Sequence, residues 1–112
     1  MSFAFICAAA FAIDGDTLRC ANIAEAGGRV RLARIDAAEL HEPGGPEARE
    51  ALQAMLTGPV FCRQVDVTQD RPQGVPRNDR YGRIVARCRV GERGHDLSER
   101  MVRAGQAQRW GS

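Results

Sequence analysis

"FAFICAAAFAIDGDTLRCANI", residues 3–23, is the stretch from which the rest of the chain can be ordered. Residues 3–13 and 17–23 are apolar enough to read as two strands. IDGDT joins them at 13–17. Asp-Gly between two apolar runs is a strong hairpin signal, because the turns that match strand twist need positive φ. FAFICAAAFA also looks like the core of a secretory signal, but no basic residue precedes it and it runs straight into the turn. It is therefore read as the first strand, with a signal peptide expected to be absent from this chain. No run is long enough to span a membrane.

Outward from the hairpin, EAGG at 25–28 is a turn and residues 29–35 make a third strand. The loop LHEPGG leads to a helix. Pro46 suits its first position, Glu47 and Glu50 its first turn, and Gly58 its end. Ala48, Ala51, Leu52 and Met55 fall on one face at i, i+3, i+4, i+7. Residues 60–67 read as a fourth strand. TQDRPQGVPRN is a polar loop broken by Pro and Gly. Residues 83–90 read as a fifth strand with Ile84, Ala86, Cys88 and Val90 on one face. A last helix starts at Asp96, where Asp96 and Glu99 have capping-box spacing, and ends at Gly105. Three strands, helix, two strands, helix is mainly β with α: an α+β chain whose pattern is a five-stranded OB-fold barrel with two helices.

A chain of 112 residues suits one domain, 1–112, with a real core. The net charge of +2 is too small to argue for nucleic acid by itself. All 16 basic residues are arginine. A GC-rich genome accounts for that, and arginine is also the residue that grips phosphate bidentately. The four cysteines, Cys7, Cys20, Cys62 and Cys88, include no CxxC pair, which argues against a zinc site. Counting alone leaves two disulfides or four buried thiols. Cys7 and Cys20 flank the hairpin on its two arms, and Cys62 and Cys88 lie on strands that neighbour each other in an OB-type meander. Cys7–Cys20 and Cys62–Cys88 are the expected pairs. They imply a periplasmic or secreted protein, and reduced thiols would imply the cytoplasm.

Acids gather near strand ends: Asp16 in the hairpin, then Asp36 and Glu39 after the third strand. Arg31 lies within that strand and Arg83 opens the fifth. Singly, each has a plain role as turn former, cap or solvated charge. Together they suit phosphodiester hydrolysis. A hard cation such as Ca²⁺ takes carboxylate and carbonyl oxygens. A further carboxylate can orient or deprotonate a water, and two arginines neutralise charge on the phosphorus. Arg29 and Arg34 have no place in this scheme and read as solvated. His41 and His95 read as surface loop residues.

IDGDT at 13–17, VRLARIDAAE at 30–39, GPEA at 45–48, DRYGR at 79–83 and DLSERMVRAGQA at 96–107 resemble, in order, the motifs of the staphylococcal nuclease (thermonuclease) family. The resemblance implies an OB-fold and a calcium-dependent nuclease acting on DNA and RNA, single strands preferred, as a monomer off the membrane. It implies that Asp16, Asp36 and the carbonyl of Ala37 hold calcium. Glu39 would position or activate the attacking water. Arg31 and Arg83 would bind the scissile phosphate, and Arg80 and Tyr81 would line the nucleotide pocket. The family has Thr or Ala and then Pro before the Glu, where this chain has Ala37-Ala38; the loop before DRYGR is longer, and Trp110 stands near the end. The alternative is a non-catalytic OB-fold module binding nucleic acid or protein. The five intact site residues and an aromatic content of 5% argue against it.

Overall fold

The computed structural model describes residues 4–65 and 83–109. Residue 3, the expected strand end 66–67, the loop 68–78, Arg80, Tyr81 and Trp110 lie outside the described residues. The strands are β1 (Ala4–Cys7), β2 (Ala10–Asp14), β3 (Thr17–Cys20), β4 (Arg29–Leu32), β5 (Ile35–Asp36), β6 (Val60–Gln64), β7 (Ile84–Val90) and β8 (Gln108–Arg109). The helices are α1 (Gly45–Met55) and α2 (Leu97–Arg103), with a short 3-10 turn at Glu25–Gly28. Six strands form one mixed sheet in the order β1-β6-β7-β4-β3-β2, and β5 pairs with β8 in a separate ribbon. Only the β4–β7 ladder in the large sheet is parallel.

The α+β class stands, but the five expected strands are divided differently. The first breaks at Ala8-Ala9: β1 pairs with β6 and β2 with β3. Asn22 makes that corner tenable. Its Nδ2 donates to the Ile6 carbonyl at 2.9 Å and its Oδ1 accepts the Ala8 N–H at 3.1 Å. Two backbone groups beside the break, the Ile6 carbonyl and the Ala8 N–H, are thereby satisfied. β1 and β2 are the two edges of the sheet, and two residues separate them, so the chain itself draws one edge round toward the other. Among the described residues no ladder joins those edges, and the hydrogen-bonded sheet is not closed into a barrel.

The third expected strand also divides. β4 ends at Leu32, and Arg34 adopts φ 64° in the turn before β5. The turn is held from two sides. The Ala33 N–H donates to the Ala86 carbonyl at 2.9 Å, and the Ser98 hydroxyl donates to the Ala33 carbonyl at 2.8 Å.

Alternation along the strands sends Leu18, Val30, Leu32, Val60 and Ile84 inward, where they meet Leu52 of α1 and Leu97 and Met101 of α2. Each such side chain contributes roughly 1.5–3 kcal/mol on burial. Helix α1 buries the predicted face: Ala48 and Leu52 fully, Ala51 and Met55 in part. It stops at Met55, before Gly58. It also covers an edge of the sheet, since the Gln53 side chain accepts the Ala12 N–H of β2 at 2.9 Å. In α2 the Asp96 carboxylate accepts the Ser98 N–H at 3.1 Å, as an N-cap does. Glu99 does not complete a capping box; it pairs with Arg109.

Both expected disulfides are present. Cys62 and Cys88 stand directly opposite each other in the β6–β7 ladder, Cα atoms 4.1 Å apart. Cys7 and Cys20 have Cα atoms 5.4 Å apart. The route to that second bond differs from hairpin pairing, for Cys20 lies opposite Ala10, and Cys7 belongs to β1 beyond the break. The bond therefore ties β1 to β3 across the corner.

Candidate active site

The turn between β2 and β3 carries Asp16 into a buried position, 6% exposed. Gly15 permits this. A Cβ there would meet the Cβ atoms of Ala48 in α1 and Ala37 at 2.7 and 2.8 Å, so the turn seats against the helix only without a side chain. The Asp16 main chain is locked from both sides. Its carbonyl accepts the Leu32 N–H at 2.8 Å, and its N–H donates to Asp14 Oδ1 at 3.2 Å.

Each Asp16 carboxylate oxygen has its own partner. Oδ1 accepts the Thr17 hydroxyl at 3.0 Å, and Oδ2 accepts the Ala37 N–H at 3.0 Å. The Arg31 guanidinium spans the two acids: Nη1 lies 3.4 Å from Asp16 Oδ2 and Nη2 lies 3.6 Å from Asp36 Oδ1. Nη1 also donates to the Leu32 carbonyl at 2.9 Å, which fixes the plane of the fork. Thr17 stands directly opposite Arg31 in the β3–β4 ladder, and its hydroxyl accepts from Arg83 Nη1 at 3.2 Å. Asp16, Asp36, Arg31 and Arg83 thus converge, with Thr17 linking the second arginine to the first acid. Ala37 joins them through its N–H.

Glu39 is placed differently. Its carboxylate is exposed and lies 3.4 Å from His41 Nε2, and its N–H donates to Glu42 Oε1 at 2.7 Å. His41 is exposed as expected, yet it has a carboxylate partner. Arg29 and Arg34 are exposed.

Several contributors were not singled out in the sequence. Asp14 is one: its pKa is pushed up to about 6, first by burial and then by the hydrogen bond and charge of neighbouring Asp16. Thr17, Ser98 and Arg109 are others. Arg109 lies opposite Ile35 in the β5–β8 ribbon and forks onto Glu99, so α2 steadies the strand that ends in Asp36. That hydrogen bond from Arg109 is the main cause holding the Glu99 carboxyl below its ordinary pKa. DLSER and QR would have betrayed these roles only to a reader who already knew that the C-terminal segment returns to β5.

Among the described residues no group of three or more His, Cys, Asp or Glu side chains is placed to hold a metal. The donor chemistry here is nonetheless of the kind a hard cation takes: two carboxylates drawn to one shared positive position. Chemically, the arrangement offers two guanidinium groups for a phosphate and oxygen donors for a cation.

Among the described residues, no helix is long and apolar enough to cross a membrane. No curated protein sequence is significantly similar to the chain. The family model described as staphylococcal nuclease homologue matches residues 29–111, a segment that holds Arg31, Asp36, Glu39 and Arg83 but begins after the turn of Asp16. With most of its length in that match and an OB-fold-like arrangement of strands around these side chains, the chain belongs to the staphylococcal nuclease homologue family.

Proposed function

We propose that this protein is a calcium-dependent nuclease that hydrolyses phosphodiester bonds of DNA and RNA. The observation that carries the reading is the convergence of Arg31 and Arg83 on the Asp16–Thr17 pair, with Arg31 also within 3.6 Å of Asp36. Two guanidinium groups fixed beside one another are preorganised for a phosphate that gains charge during attack.

Asp16 and Asp36, with the Ala37 carbonyl, would hold Ca²⁺. When bound, that ion supplies Lewis-acid polarisation of a phosphoryl oxygen. Arg31 and Arg83 bind the scissile phosphate. Glu39 orients or deprotonates the attacking water. Arg80 and Tyr81 complete the nucleotide pocket from outside the described residues. Single strands are the preferred substrate, and the protein acts as a monomer. Two disulfides support an oxidising compartment, the periplasm or the cell exterior.

The test is release of acid-soluble nucleotides from denatured DNA with calcium, repeated with a chelator. Release that stops in chelator and in Glu39→Gln supports the proposal. No release, with oligonucleotide binding retained, would replace it with the non-catalytic binding module.

A further inference from the structure

We propose that a row of side chains on the outer face of the sheet, Phe11, Arg19 and Arg29, forms a subsite for a neighbouring nucleotide of a single-stranded nucleic acid. The proposal rests on the reading of the Arg31–Asp16 site as the place where a phosphate is held.

The register places the row. Phe11 stands opposite Arg19 in the β2–β3 ladder, and Arg19 stands opposite Arg29 in the β3–β4 ladder. All three are exposed, while the alternate residues Ala12, Leu18 and Val30 fill the core. The next row on the same face is Thr17 opposite Arg31, within the site itself. The two rows are two residues apart along the strands, about 7 Å. A single strand advances from one phosphate to the next by a step of the same order. A strand with one phosphate at Arg31 therefore brings its neighbour over Arg19 and Arg29.

The residue types fit that occupant. Arg19 and Arg29 stand opposite each other in the ladder, and a phosphate lying over both makes charge-assisted contacts with two guanidinium groups. Phe11 is 44% exposed at the end of the row, an apolar ring in water beside Arg19. An aromatic face next to a basic track is how sequence-tolerant single-strand binders hold bases. The sheet is also one-sided in charge. Among the described residues its strands carry Arg19, Arg29, Arg31, Arg63, Arg87 and Arg89, and one acid, Asp14 at the end of β2. A net charge of +2 conceals this segregation.

The experiment compares the wild type with Arg19→Gln/Arg29→Gln, with Phe11→Ala and with Arg93→Gln, which removes a charge from the exposed turn after β7. A dye-labelled single strand of about 12 nucleotides, within the site size of one OB-type fold, is titrated in chelator at several salt concentrations. The double variant is expected to bind about tenfold more weakly at low salt. Its log K against log salt slope should fall by about 1.4, two phosphate contacts on a single strand. Phe11→Ala should weaken binding roughly fivefold or more with the slope kept. Hydrolysis of a one-nucleotide chromogenic ester in calcium should be unchanged in all three. A double variant with the slope and affinity of Arg93→Gln overturns the subsite. Absence of ester hydrolysis by the wild type would count against the nuclease reading alone, since the binding comparison decides the row by itself.

Discussion

The Asp16 carboxylate accepts the backbone N–H of Ala37 at 3.0 Å, across 21 positions of sequence. One buried acid thus joins the first hairpin to the segment after β5. It is a structural strut as well as a proposed calcium ligand, and the two roles predict different losses on substitution.

Asp16→Ala leaves the Ala37 N–H and the Thr17 hydroxyl without their acceptor and takes one of its two carboxylates from the Arg31 fork. Removing the partner of buried polar groups costs about 1–3 kcal/mol, more when one is charged. Asp16→Ala should therefore lower the denaturant midpoint clearly. Asp16→Asn keeps an acceptor oxygen and should lie nearer the wild type in stability while losing calcium-dependent hydrolysis. Equal stability of Ala and wild type would remove the strut; wild-type cleavage by either variant would remove the ligand.

Arg31→Lys keeps the charge and loses the fork that reaches both Asp16 and Asp36. Turnover should drop by about 2–4 kcal/mol of barrier, as when one preorganised donor is lost. A change confined to the Michaelis constant would make Arg31 a binder of substrate in its ground state.

Asp14 gives a pH signature. Its folded pKa, about 6, lies above the ordinary 3.8, so the folded protein holds a proton that the unfolded chain has released between those values. Stability must then fall as pH rises through that window. Asp14→Asn keeps the oxygen that accepts the Asp16 N–H and removes the titration. Melting temperature measured in chelator should decline from pH 4 to 6 in the wild type, over about the shift window, and flatten in the variant. A parallel decline in both would assign the slope to other groups.

Thiol titration under denaturing, non-reducing conditions should find no free cysteine. Reduction should then lower stability by about 3 kcal/mol for the Cys7–Cys20 loop and about 3.5 kcal/mol for the Cys62–Cys88 loop, on chain-entropy grounds. Double Cys→Ala variants, each lacking one bond, separate the two by chemical denaturation. Reactive thiols in the oxidised protein would move it to a reducing compartment.

Leu52, fully buried in α1, tests the helix face read from spacing: Leu52→Ala should cost about 2–5 kcal/mol. That face was legible because a 3.6-residue period survives in the sequence whatever the helix packs against. The hairpin and the Cys62–Cys88 pair were legible for a similar reason, through Asp-Gly and strand adjacency, whereas Cys7–Cys20 was named from hairpin pairing and forms instead across the corner between β1 and β3. The breaks at Ala8-Ala9 and Ala33-Arg34 were not. Each depends on a side chain far along the chain, Asn22 or Ser98, that answers the backbone where the ladder stops. Asp16, Arg31, Asp36 and Arg83 were named as candidates from the motifs, and the fold brings them together. The His41 partner of Glu39 and the Arg109 brace of β5 were invisible, because polar contacts between loops leave no period.

In an ordinary hairpin the connecting loop sets which residues face each other. Between β6 and β7 that task belongs to the Cys62–Cys88 bond, placed at matched positions in the ladder. Alignment of these strands no longer depends on how many residues run between 65 and 83. If the chain were cut there, the two strands would still be joined directly by a covalent pin.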